Sequence, residues 1–235
     1  MTTPNQTTLN RYARATGIAM LLSVIFGALG EAYIPGLFIV RGDAVATAAR
    51  ILADPTLYRL GFAAYYVEGM CDIALCLLFY VLLKRVDRNL ALLSAFFGIV
   101  SMVMYAVAES CYYAALVILR DTTGLTAFTT DQRNALALLS LRLFSTIAGL
   151  FLATYGIASM IRGYLIVRSG YLPWPLGALL MLGGAGFVAR TVTILVAPSF
   201  STGFMLAPMA VGGISLTLWL LLRGVGNAEL LGQRG

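Results

Sequence analysis

Long apolar runs, broken by short polar clusters, dominate the chain. Runs of about 20 apolar residues recur, the length needed to cross a bilayer. The pattern predicts six membrane-spanning helices, at roughly 15–40, 56–83, 90–119, 135–161, 173–197 and 204–222. The fold class read from this is all-α: a polytopic membrane protein with a short surface helix after the first span. The domain division that follows is an N-terminal tail over 1–14, a six-helix transmembrane domain over 15–222 and a C-terminal tail over 223–235. The first run is longer than the core of a cleaved leader and lacks a small-x-small site before a soluble region, so it reads as a retained span.

Several boundaries carry local signals. Asp54-Pro55 reads as an N-cap followed by proline at the first helical position. Asp87 and Asn89 lie in the turn between the second and third spans. Pro173 and Pro175 open the fifth span and Pro198 ends it. In GDAVATAARILADP, Asp43 is an N-cap for a short helix from about Ala44 to Ala53. Two placements suit that helix: on the membrane surface or over the bundle, or as a solvated connector.

Composition agrees with the pattern. Sixty percent of residues are hydrophobic and 11% charged, against about 25% charged in a soluble domain. The net charge of +6 points to orientation rather than to nucleic acid. The N-terminus, the 84–89 turn, a turn placed at 162–172 and the C-terminal tail carry nine basic residues, Arg162 among them, against Asp87 and Glu229, a net +7. The opposite loops net +1. Basic residues favour the cytoplasmic side, so both termini are expected there.

Six ionisable residues are then left inside the spans: Glu31, Glu68, Asp72, Glu109, Arg142 and Arg190. Each costs about 2.5–3.5 kcal/mol at the membrane centre on insertion scales. Their positions along the spans place all six in a layer from mid-bilayer to the outer third. Four acids against two arginines leave −2, and Glu68 and Asp72 lie one turn apart on one helix face. Protons or a bound cation would offset the excess. Tyr65, Tyr105 and Tyr112 sit at helical spacing from these acids, as hydrogen-bond donors, as a wall for a cationic ligand, or as part of the interfacial aromatic belt.

Much chemistry is excluded. The chain has no histidine, which removes histidine-ligated zinc, bis-histidine haem and Ser-His or Cys-His catalysis. The single lysine, Lys84, sits at the edge of a span. Cys71, Cys76 and Cys111 are odd in number, form no CxxC and read as small apolar helix residues. No catalytic residue and no cofactor is assigned, although the oxygen-rich acids suit a hard divalent cation such as Mg²⁺, Mn²⁺ or Ca²⁺. Gly149, Ala153, Gly156 and Gly163, with Gly177, Gly183, Gly184 and Gly186, read as small residues that let helices approach closely.

Three stretches carry a family likeness: GALGEAYIPGLFIVRGDAVATAARILADPTLYRLG (27–61), CDIALCLLFYVLLKRVDRNLALLSAFFGIV (71–100) and GYLIVRSGYLPWPLGALLMLGGAGF (163–187). They resemble the bacterial domain-of-unknown-function 4386 family of integral membrane proteins. The resemblance implies a multi-span protein of the bacterial inner membrane and no particular activity. Glu31, Asp43 and Asp72 lie within it. It also implies an arginine where this chain has Gly98.

The functional expectation is an acidic site in the outer half of the bundle that binds or moves a proton, a small cation or a cationic amphipathic molecule. Glu68 and Asp72 are its core, Glu31 and Glu109 its supporting acids, and Arg142 the internal counter-charge. The alternative is a non-catalytic scaffold or regulatory subunit whose buried charges fix helix packing. An enzyme using paired carboxylates is a third class that nothing in the sequence demands. The expected partners are the lipid bilayer and a small cationic ligand, not nucleic acid.

Overall fold

A computed structural model describes residues 6–121, 123–197 and 203–226. The described residues form α1 (Gln6–Gly27), a π-helical segment (Ala28–Tyr33), α2 (Ile34–Phe38), α3 (Ala44–Ala53), α4 (Pro55–Leu83), α5 (Arg88–Arg120), α6 (Thr130–Ser169), α7 (Trp174–Val196), a 3₁₀ turn (Gly203–Leu206) and α8 (Ala207–Leu222). Six helical stretches are long and apolar enough to cross a membrane, from Thr7–Phe38 to Gly203–Leu222. The protein is an all-α polytopic membrane protein.

The caps explain where the helices start. The Asp43 carboxylate accepts from the Ala46 amide at 2.9 Å and begins α3. Asp54 accepts from the Leu57 amide at 2.9 Å and begins α4. Asp87 accepts from the amides of Asn89 and Leu90 and begins α5. Pro175 occupies the first turn of α7, as expected. Pro198, Glu229 and Arg234 lie outside the described residues.

Two expectations need correction, and the first span carries a local irregularity. A π segment, Ala28–Tyr33, interrupts it just ahead of Pro35. Proline has no N–H to donate and its ring crowds the carbonyl four residues back, which here belongs to Glu31, so the ladder widens. The fourth helix is also longer than 135–161. It starts at Thr130 because Thr129 and Gln132 form a capping box: the Thr129 amide donates to Gln132 Oε1 at 2.8 Å, and the Gln132 amide to Thr129 Oγ1 at 3.3 Å. It ends only at Ser169, where Gly170 takes φ +69°. The turn placed at 162–172 is therefore helical through Ser169. Finally, α3 is not a solvated connector. Thr47, Ala48 and Ile51 are buried, and Arg50 donates to the Leu37 carbonyl at 3.2 Å.

The chain divides into two compact units, and α1, α4, α5 and α6 each contribute residues to both. One unit comprises Met1–Leu22, Cys71–Met102 and Gly149–Gly235. Its core is aliphatic, with Leu9, Leu82, Leu165, Ile166, Leu216 and Leu220 all fully buried. The small-residue reading holds here. A Cβ on Gly156 would lie 2.6 Å from the Gly184 carbonyl oxygen, so α6 and α7 touch backbone to backbone. The Tyr171 hydroxyl donates to the Leu82 carbonyl at 2.6 Å, and the Gly226 amide to the Tyr171 carbonyl at 3.0 Å.

The other unit comprises Ser23–Met70 and Val103–Ala148. Its core is aromatic. Tyr58 and Tyr112 stack at 4.3 Å between centroids, and Tyr65 meets Tyr105, Tyr112 and Phe144 edge-on.

Candidate functional site

The carboxylate cluster lies in the aromatic unit. The π segment carries Glu31, α4 carries Tyr65 and Glu68, and α5 carries Tyr105, Glu109 and Tyr112. The Tyr105 hydroxyl is buried and lies 2.8 Å from Glu31 Oε1 and 2.8 Å from Glu68 Oε2. A tyrosine hydroxyl has one hydrogen to donate. Both short contacts are satisfied when Tyr105 donates to one carboxylate and the other carboxyl, protonated, donates to the hydroxyl oxygen.

Burial is graded across the three glutamates. Glu31 is exposed, Glu68 half-buried and Glu109 only 5% exposed. Glu109 lies one helical turn beyond Tyr105 on α5, and Glu68 three residues beyond Tyr65 on α4. Among the described residues, Glu109 Oε1 and the hydroxyls of Tyr65 and Tyr112 have no hydrogen-bond partner, although all three residues are buried. Such groups cost free energy unless a proton, water or ion satisfies them.

Two glycines make room for the cluster. A Cβ on Gly27 would lie 2.5 Å from Glu68 Oε1, and one on Gly30 would lie 3.1 Å from the Tyr65 backbone nitrogen. The end of α1 and the π segment can therefore approach α4 closely enough for Glu31 and Glu68 to share one hydroxyl.

The remaining predicted residues are placed differently. Arg142 is exposed on α6, so it is not the buried counter-charge expected of it. Asp72 and Arg190 belong to the aliphatic unit. Asp72 is buried there. Arg190 is half-buried, and its Nε has no hydrogen-bond partner among the described residues. Among the described residues, no group of three or more histidine, cysteine or acidic side chains is arranged to hold a metal ion.

Sequence reasoning missed Arg162. Placed in a loop by its charge, it instead lies within α6 and is 4% exposed. Its Nε donates to Ser94 Oγ at 3.2 Å and its Nη2 to Cys76 Sγ at 3.7 Å. The guanidinium lies over the Phe79 ring, 5.1 Å from its centroid, and 5.8 Å from that of Tyr155. Gly98 leaves the space it fills: a Cβ there would lie 2.7 Å from Arg162 Nη2 and 2.6 Å from Cys76 Sγ. Cys76 is thus an acceptor for a buried cation, not only an apolar filler. The available signal was Gly170, a helix stop eight residues after Arg162. Moving Arg162 into the interior lowers the basic loops from +7 to +6 and the imbalance within the spans from −2 to −1.

No solved structure matches the chain. An uncharacterized protein of Archaeoglobus fulgidus is 24% identical over 177 residues, which cover 75% of this chain and 90% of that protein. Residues 15–224 match the family described as "Domain of unknown function (DUF4386)", nearly the whole chain and all six candidate spans in whole or large part. The chain therefore belongs to the DUF4386 family.

Proposed function

We propose that the protein binds and relays protons through the Glu31–Tyr105–Glu68 bridge, with Glu109 as the buried end of the relay. The observation that supports this reading is the pair of 2.8 Å contacts to a single hydroxyl, a geometry that the phenol proton and one carboxyl proton would satisfy together. The graded burial supports a direction of exchange, from exposed Glu31 to enclosed Glu109. A proton suits the cluster better than a hard divalent ion, because the described residues offer no metal-holding arrangement of carboxylates. Such chemistry is a common use of acids within spans.

Infrared difference spectroscopy on the purified protein at neutral pH tests the proposal. The wild type should give a protonated-carboxyl band that shifts in D₂O and is lost in both Glu31→Gln and Glu68→Gln. A band unchanged in both variants, or no such band in the wild type, would remove the proton site and leave the scaffold reading. The charge asymmetry, +6 against +1 in the loops, supports cytoplasmic termini in a plasma membrane. Labelling of single cysteines at the two termini from either side of the membrane checks that orientation.

A further inference from the structure

A second polar feature of the aromatic unit is separate from the glutamates. A cleft of about 330 Å³ is lined by Arg59 of α4, by Tyr113, Leu116, Val117 and Arg120 of α5, and by Asp121 just beyond α5. Its size falls at the lower end of ligand clefts. Both arginines are exposed, and among the described residues neither guanidinium makes a hydrogen bond or an ion pair.

Helix electrostatics account for only one of them. Arg120 ends α5, where a cation complements the helix dipole. Arg59 lies in the first two turns of α4, near the positive end, where the helix offers it no compensation. The cleft also holds one acid, Asp121, whose Oδ1 accepts from the amides of Thr123 at 2.9 Å and Gly124 at 2.7 Å, and the two arginines outweigh its single charge. The other wall is apolar. Val117 is 51% exposed, and the Tyr113 ring packs 4.7 Å from Phe62.

We propose that this cleft binds a phosphate group, with Arg59 and Arg120 holding its oxygens and the Tyr113–Val117 wall holding an attached hydrocarbon chain. Paired guanidinium forks match phosphate geometry. The phosphate has two sources, a phospholipid headgroup or a free phosphate ion, and the apolar wall favours the lipid. The site is independent of the proton relay, so failure of one leaves the other intact.

The test is thermal unfolding of the full-length protein in a non-ionic detergent. Three probes are added separately: dihexanoyl phosphatidylglycerol, inorganic phosphate and dihexanoylglycerol, which lacks phosphate. At roughly ten times its Kd, phosphatidylglycerol should raise the midpoint by about 3–6 °C. The rise should vanish in R59Q/R120Q, whose own midpoint should match the wild type because both side chains are exposed. An equal rise with inorganic phosphate would support the site and assign it to the free ion. An equal rise with dihexanoylglycerol, a rise that persists in R59Q/R120Q, or no rise with either phosphate probe would overturn the proposal. If R59Q/R120Q fails to fold, R59K/R120K serves instead. A reduced rise would then support the site, because lysine lacks the planar fork, and an undiminished rise would count against it.

Discussion

The Tyr105 hydroxyl stands 2.8 Å from Glu31 Oε1 and 2.8 Å from Glu68 Oε2, so one phenol links an acid on the π segment to an acid on α4. Replacing Tyr105 with Phe keeps the ring and removes the link. Hydrogen bonds to charged groups contribute about 1.5–3 kcal/mol, and Y105F should lose about that much in thermal or denaturant unfolding. It should also uncouple the carboxyls, so that Glu31→Gln no longer alters the infrared signal of Glu68. Stability and coupling both unchanged would remove Tyr105 from the relay.

Gly98 and Arg162 should behave as a coupled pair. An added methyl at Gly98 meets Arg162 Nη2 and Cys76 Sγ inside a packed region. Overpacking of this kind costs about 1–3 kcal/mol. The cost of Gly98→Ala should shrink when Arg162 is replaced by Met, which removes one of the two clashes. A double-mutant cycle reads this directly, and strict additivity would contradict the packing described.

Two glycines should respond to alanine in opposite directions. On Gly156, a Cβ meets the backbone oxygen of Gly184 at 2.6 Å, so α6 and α7 must separate. Gly156→Ala should destabilise by about 1–3 kcal/mol. Gly213 lies within α8 and a Cβ there meets nothing within 4 Å. Gly213→Ala should stabilise by roughly 0.5–1 kcal/mol through helix propensity alone. Melting curves of the two variants should bracket the wild type.

Alkaline stability should depend on Tyr171, which lies between α6 and α7, outside the spans. Burial pushes its phenol up to about 12, and the nearby Arg85 charge only partly opposes this. The folded protein therefore holds this proton more tightly than the unfolded chain. Its contribution is fully present below the unfolded value near 10 and is lost as pH rises toward 12. Tyr171→Phe should cost about 0.5–1.5 kcal/mol at neutral pH, by loss of the bond to the Leu82 carbonyl. It should also flatten the fall in stability between pH 10 and 12, followed by unfolding over that interval.

The sequence by itself determined the spans and most of their ends. Apolar length fixes a membrane helix locally, because a lipid-facing backbone must satisfy its hydrogen bonds within the helix. Asp43, Asp54 and Asp87 act on amides two or three residues away, so their caps were legible without neighbours. The capping box at Thr129–Gln132 and the stop at Gly170 were equally local, yet charge at Arg133 and Arg162 masked them. Glu31, Glu68 and Glu109 were identifiable as costly residues from the sequence, but the hydroxyl that links the first two was not. Only the tertiary structure decided that Glu31 and Glu68 meet at Tyr105, that Arg142 faces outward, and that Arg162 is enclosed by Ser94, Cys76 and Phe79. The reason is rotational. Each residue turns a helix by about 100°, and in a uniformly apolar helix the sequence does not fix which face meets a neighbour. Close contacts at Gly27, Gly30 and Gly98, together with the π segment before Pro35, set those faces.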